Sequence, residues 1–240
     1  MTNVLSLPAY ESYDEMLACA VWRAGLDDLN AHLAETLSHW GQTVELNGNL
    51  FYAHRDPDFR NHGLLPRFEG KRRNLFWLAR QSTHMFEVGV NGGHSLYLAL
   101  SATPTLRVTG VDICRQLTPT WARVDIYVPA AFAWLRQAFP GRCHFITGNS
   151  LVELPKYADE NPHETIDLLH LDGSKDTHLR EYLALKPLMP KGAYLLQDDT
   201  NMGPVRVSMR QILQLRLAER VDAEHPNLQD LPGHKVLVVT

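Results

Sequence analysis

Nowhere in the sequence do apolar residues run on for the roughly 18–20 positions that a membrane-spanning helix requires, so no membrane span is expected. Cysteine is scarce. Cys19, Cys114 and Cys143 are odd in number and far apart, which excludes a disulfide framework and a CxxC metal pattern and leaves buried or free thiols. A basic excess is also lacking: 23 Lys and Arg stand against 27 Asp and Glu, a net charge of −4. That balance gives no general pull toward nucleic acid or anionic membrane and favours a small-molecule partner. The opening residues, MTNVLSLPAYESYDE, hold no basic segment followed by a long apolar stretch, so the expectation is no signal peptide and a cytoplasmic protein. No internal repeat or low-complexity tract stands out.

What is present is an ordinary soluble composition, 45% hydrophobic and 21% charged over 240 residues, enough to bury a large core without staples. Two zones differ in texture. Up to about residue 70, Tyr13, Met16, Leu17, Ala20 and Val21, then Leu26, Leu29, Leu33 and Leu37, recur at helical spacing. A turn-rich stretch from Gly41 to Gly70 follows, broken by Asn47-Gly48, Asp56-Pro57 and His62-Gly63, and a helix over Lys71–Arg80 leads into the second zone. The organisation expected is an N-terminal helical lid over residues 1–70 and a catalytic domain over 71–240.

In the second zone β-rich runs alternate with helical ones. Strands are expected at His84–Val88, Arg107–Asp112, His144–Thr147, Ile166–Leu171, Ala193–Gln197 and Lys235–Val239. Helices are expected near Gly93–Ser101, Pro129–Phe139, Thr177–Leu188 and Val205–Arg220. Strands alternating with helices imply right-handed βαβ units and a mainly parallel α/β sheet covered on both faces. Ligands then bind outside the carboxyl ends of the strands.

The first strand ends in Glu87-Val88-Gly89-Val90-Asn91-Gly92-Gly93-His94-Ser95, a glycine-rich turn into a helix whose free N–H groups suit an anionic group. It is not GxGxxG, because Asn91 stands where that motif needs its second glycine. The second strand ends in Asp112-Ile113, an acidic residue placed to accept from ribose hydroxyls or to cap a turn. Thr147-Gly148-Asn149-Ser150 could bond an adenine edge, or Ser150 could cap the next helix. The fourth and fifth strands deliver Asp172-Gly173-Ser174-Lys175 and Asp198-Asp199. Three carboxylates converging there would repel, and a hard divalent cation such as Mg²⁺ would relieve them; otherwise Asp198-Asp199 is a solvated turn.

In this order the runs FEVGVNGGHSLYLAL, VTGVDIC, ITGNS, IDLLHLDGSKD and PKGAYLLQDDTN resemble the class I S-adenosylmethionine-dependent methyltransferases. The nearest likeness is to the catechol and caffeoyl-CoA O-methyltransferase group and related bacterial small-molecule enzymes, from about Asn74 onward. The resemblance implies a Rossmann-like, seven-stranded sheet. It also implies a cofactor site at Glu87, Gly89, Asn91, Gly93, Ser95, Asp112, Ile113, Asn149, Ser150 and Asp172, with Ser95 on the carboxylate and Ile113 on the adenine. Asp172, Asp198 and Asp199 fall where those enzymes hold their metal, and Lys175 where they keep a catalytic lysine. The chain departs from them at Asp199, where many relatives carry Asn, and at Ser174, where an aromatic is usual; residues 1–70 show no match.

The expected chemistry is metal-assisted methylation of a small-molecule hydroxyl. A cation lowers the hydroxyl pKa, and Lys175 takes the proton if its own pKa falls well below ~10.4. His94, His170 and His178 flank the same strand ends as structural residues, with His178 in reserve as a base. Trp22, Trp40, Phe51, Tyr52 and Phe59 are candidates for acceptor walls or core. Arg67, Lys71, Arg72 and Arg73 form the one dense basic cluster, a solvated helix face or a site for an acidic acceptor or RNA. The rival readings are an RNA-modifying methyltransferase, an NAD-dependent oxidoreductase and a catalytically silent cofactor-binding protein. A homodimer or higher homo-oligomer is compatible with the sequence.

Overall fold

The computed structural model describes residues 4–57, 59–60 and 63–240. Its centre is a seven-stranded sheet in the order β3-β2-β1-β4-β5-β7-β6. The strands are β1 (His84–Val88), β2 (Arg107–Asp112), β3 (Cys143–Thr147), β4 (Leu168–Leu171), β5 (Tyr194–Asp198), β6 (Ala218–Arg220) and β7 (His234–Val239). The first five run parallel, and β7 is antiparallel to both β5 and β6.

Alternation along the strands divides the interior into two cores. Met85, Val108, Leu168, Leu196 and Val236 face one side, while Phe86, Val111, Leu169, Leu195 and Leu237 face the other. The first side is covered by α2 (Ala20–His39), α3 (Glu69–Arg80), α4 (His94–Ala102) and α5 (Val124–Ala138), and α1 (Tyr13–Ala18) packs on α2 and α3. The second is covered by α6 (Ser150–Glu160), α7 (His178–Leu185) and α8 (Gly203–Gln214). Each fully buried large side chain contributes roughly 1.5–3 kcal/mol, so the two layers supply most of the driving force. Residues N-terminal to residue 70 belong to the first core: Trp22 is buried against Tyr97, whose hydroxyl donates to the Trp22 carbonyl at 2.5 Å.

Three elements differ from the sequence reading. α5 begins at Val124, not Pro129, and Pro129 sits inside it, where a missing N–H costs one helical bond. α6 is foreshadowed only by the possible cap at Ser150, and its extent is hidden by the internal Pro155. The helix expected over Val205–Arg220 ends at Gln214, and its tail is the short edge strand β6. No helix among the described residues is long and apolar enough to cross a membrane.

Candidate active site at the strand tips

Ladder bonds continue past the strand ends and hold the tips together: Gly89 N–H donates to Val111 O (2.9 Å), Asp172 N–H to Val88 O (3.0 Å) and Gly148 N–H to Asp112 O (2.9 Å). A cleft of about 820 Å³ opens above them. Gly89 has φ +89°, and a Cβ there would stand 2.7 Å from the Gly173 nitrogen, so only glycine lets the β1 and β4 tips meet under the cleft.

On the β1–β3 side the cleft is lined by Gly89, Asn91, Asp112, Ile113, Asn149 and Ser150. The Asp112 carboxylate ties the turn together. One oxygen accepts from the N–H groups of Val90 (2.9 Å) and Asn91 (3.1 Å), and the other from Cys114 N–H (2.9 Å). A carboxylate has about four lone-pair sites, so one remains for a ligand hydroxyl. The cap and the ribose acceptor are thus compatible roles of one residue. Burial raises its pKa, and the backbone donors hold the rise back. The cap of α6 is Asn149, whose side chain accepts from Leu151 N–H. Ser150, the residue also considered for that role, instead donates to Glu181 at 2.6 Å.

Glu87, Gly93 and Ser95 lie beneath the cleft rather than in its wall. Glu87 is wholly buried: one oxygen faces His170 Nδ1 at 2.6 Å, and Oε2 has no hydrogen-bond partner. An orphaned carboxylate oxygen beside a glycine turn is what a ligand ammonium group would satisfy.

The β4–β5 side is a packed charge cluster. Asp198 accepts from Lys71 Nζ (2.6 Å) and His234 Nδ1 (3.0 Å) on one oxygen and from His170 Nε2 (3.0 Å) on the other. Lys175 Nζ reaches Asp172 Oδ1 at 2.8 Å and Asp199 Oδ2 at 2.8 Å. Both His170 nitrogens face carboxylate oxygens, which a doubly protonated ring serves. Burial alone would lower its pKa, but Asp198 and Glu87 outweigh burial and raise it to about 10. For Asp198 burial works upward, yet His234, Lys71 and His170 hold the carboxyl well below its usual range. Removal from water raises Asp172, against the nearby Lys175 charge and with the help of Asp198.

Two sequence expectations change here. Lys175 does not fall below the ordinary lysine range: burial pushes it down, but Asp172 and Asp199 push it further up, so it is an ammonium ion. The three aspartates also do not form an open cation site. The compact acidic group is His170, Asp172 and Asp198, with ligand atoms within 4.8 Å of one another, and Asp199 stands outside it. His170, Asp172 and Asp198 are the side chains that could hold a divalent cation. A cation there would displace donors that Asp198 now holds, among them Lys71 and His170.

His178 is buried with neither ring nitrogen bonded, does not line the cleft, and has its pKa lowered to about 4, chiefly by burial. It is no base for this site. The basic cluster is dispersed. Lys71 turns to Asp198, Arg72 donates to Tyr13 and to the Leu50 and Leu65 carbonyls, and Arg73 pairs with Asp14 and Glu69. Arg67, the fourth member, lines the cleft and lies over the Phe68 ring. Of the aromatic candidates only Tyr52 lines the cleft; Trp22, Phe51 and Phe59 are core, and Trp40 is exposed. Sequence reasoning missed His234 and the roles of Lys71 and the 46–55 loop, none of which lies near a strand-end motif.

Residues 86–200 match the model of a methyltransferase domain family. No curated protein matches the sequence. Among solved structures the chain is similar to an O-methyltransferase from Bacillus cereus in complex with SAH (18% identity, 75% of this chain and 84% of that one, TM-score 0.51). It is also similar to the O-methyltransferase TomG from Streptomyces achromogenes, involved in tomaymycin synthesis and bound to SAM (15% identity, 89% and 90% covered, TM-score 0.56). A third likeness is to CalS11, a TDP-rhamnose 3'-O-methyltransferase of calicheamicin biosynthesis (19% identity, 96% of each chain, TM-score 0.55). Residues 86–200 are thus similar to a methyltransferase domain, and the chain shares the fold of these O-methyltransferase structures.

Proposed function

We propose that this protein transfers a methyl group from S-adenosylmethionine to a hydroxyl of a small-molecule acceptor. The observation that carries the reading is the division of one cleft into two chemically distinct ends. Gly89, Asp112 and Ile113 at one end suit a nucleoside, and Asp172 with Lys175 at the other suits a group that must lose a proton. The SAH- and SAM-bound relatives, both named as O-methyltransferases, support it.

The donor's sulfonium supplies an activated methyl carbon. The acceptor oxygen forms the new C–O bond as the S–C bond breaks, and positioning at near-attack distance provides much of the rate. Lys175, being an ammonium ion, cannot take the hydroxyl proton; it steadies the developing oxyanion instead. Asp172 has one oxygen held by Lys175 and the other free, and its raised pKa makes it the stronger base, so Asp172 accepts the proton. A divalent cation held by Asp172 and Asp198 would lower the hydroxyl pKa further, and without one Lys175 supplies the positive charge beside Asp172.

Calorimetric titration with S-adenosylhomocysteine, followed by a methyl-transfer assay over a panel of phenols and sugars, tests the reading. Binding of the product with turnover of a hydroxyl acceptor supports it; absence of binding overturns it. Turnover unchanged in EDTA supports the metal-free step, and loss of turnover restored by Mg²⁺ would replace it.

A further inference from the structure

Asn91 is the second residue of a glycine turn and carries φ +53°, a conformation that glycine adopts more cheaply. Its side chain does not point at the cofactor end of the cleft. The amide donates to the carbonyls of Asn47 (3.1 Å) and Gly48 (2.9 Å), and its oxygen accepts from the Tyr127 hydroxyl at 2.6 Å. The same hydroxyl accepts from Asn47 N–H at 3.2 Å, and Asn47 Oδ1 accepts from Ala122 N–H. Tyr127 itself is buried in α5 and does not line the cleft.

These bonds hold one end of a loop closed by Arg55 N–H on Leu46 O at 2.8 Å. Asn47, Gly48, Asn49, Leu50, Tyr52 and His54 of this loop form a cleft wall. Its middle is pinned by half-buried Asn49 through the buried His94, Asn30 and Tyr52, and Arg72 grips the Leu50 carbonyl at 2.7 Å. Arg72 is next in sequence to Lys71, the ammonium on Asp198. The loop therefore runs from the glycine turn at the donor end to the charged cluster at the acceptor end.

We infer that Asn91 and Tyr127 are positioning residues that latch the 46–55 loop as the acceptor-side wall, so that a residue of the donor turn sets the fit of the acceptor. This inference rests on the methyl-transfer reading for its kinetic arm only. The strain at Asn91 is retained because glycine would relieve it at the expense of three hydrogen bonds to the loop and its anchor.

The test compares Tyr127→Phe, Asn91→Gly and the double variant. Amide hydrogen exchange of residues 47–50 is expected to rise about tenfold in each single variant. Acceptor KM is expected to rise about fivefold with kcat little changed, and S-adenosylhomocysteine affinity in Tyr127→Phe should stay within about twofold of the parent. Because both residues serve one latch, the double variant should be no worse than the poorer single one. Unchanged exchange at 47–50, additive effects, or a loss of S-adenosylhomocysteine affinity as large as the rise in KM overturns the inference. If the parent protein methylates none of the panel, the functional reading fails on its own, and exchange in the unliganded variants still decides whether the latch exists.

Discussion

The two ends of the cleft are built by different means. The donor end is backbone work: a glycine at positive φ, N–H groups gathered by the Asp112 carboxylate, and strand ladders that overrun into the turns. The acceptor end is a matter of side-chain charge, with Lys71, Lys175 and protonated His170 set among Glu87, Asp172, Asp198 and Asp199. Backbone sites tolerate little change of residue but need no distant partner. Charge clusters work only when every partner arrives, and removing one strands the rest.

That contrast can be broken most forcefully at Gly89. Gly89→Ala places a methyl 2.7 Å from the Gly173 nitrogen, and S-adenosylhomocysteine affinity should fall at least about 100-fold in a calorimetric titration. At the other end, Lys175→Met and Asp172→Asn should each lower kcat about 10²- to 10³-fold in the methyl-transfer assay while leaving product binding nearly intact. If either weakened product binding as much as kcat, the division into two ends would fail.

Stability separates the ends next. Lys71→Met removes one of three donors from buried Asp198 and should cost about 3 kcal/mol, read as a lowered denaturation midpoint with the slope unchanged. Acid acts on stability as well. His84, His94 and His178 are held near 4, 3 and 4, in each case chiefly by burial, so the folded protein keeps them neutral. Their contribution is present above about pH 6.5 and is lost as pH falls toward 4, so melting temperature should drop across that window. His170, raised to about 10, behaves oppositely: its contribution is full below about pH 6.5 and fades as pH climbs through 10. His170→Asn should flatten the alkaline limb of the melting profile.

The turns proposed to hold the donor were legible as turns, because turn signals are local. Gly89 and Asp112 sit where a strand stops, and turn chemistry is written within a few residues. Asp172, Lys175, Asp198 and Asp199 were legible as positions, but their charge state was not. Lys71 meets Asp198 across 127 residues and His234 meets it across 36, and neither stands in a motif, so an open acidic cluster was the natural expectation. Helix α6 and strand β6 escaped for a simpler reason: an internal proline and a three-residue length leave no period to read.

Strand β7 lies between β5 and β6 and brings His234 onto Asp198. During synthesis, the strand tips that would hold the donor emerge and can pair well before this one does. His234 is then the last of the three Asp198 donors to be made.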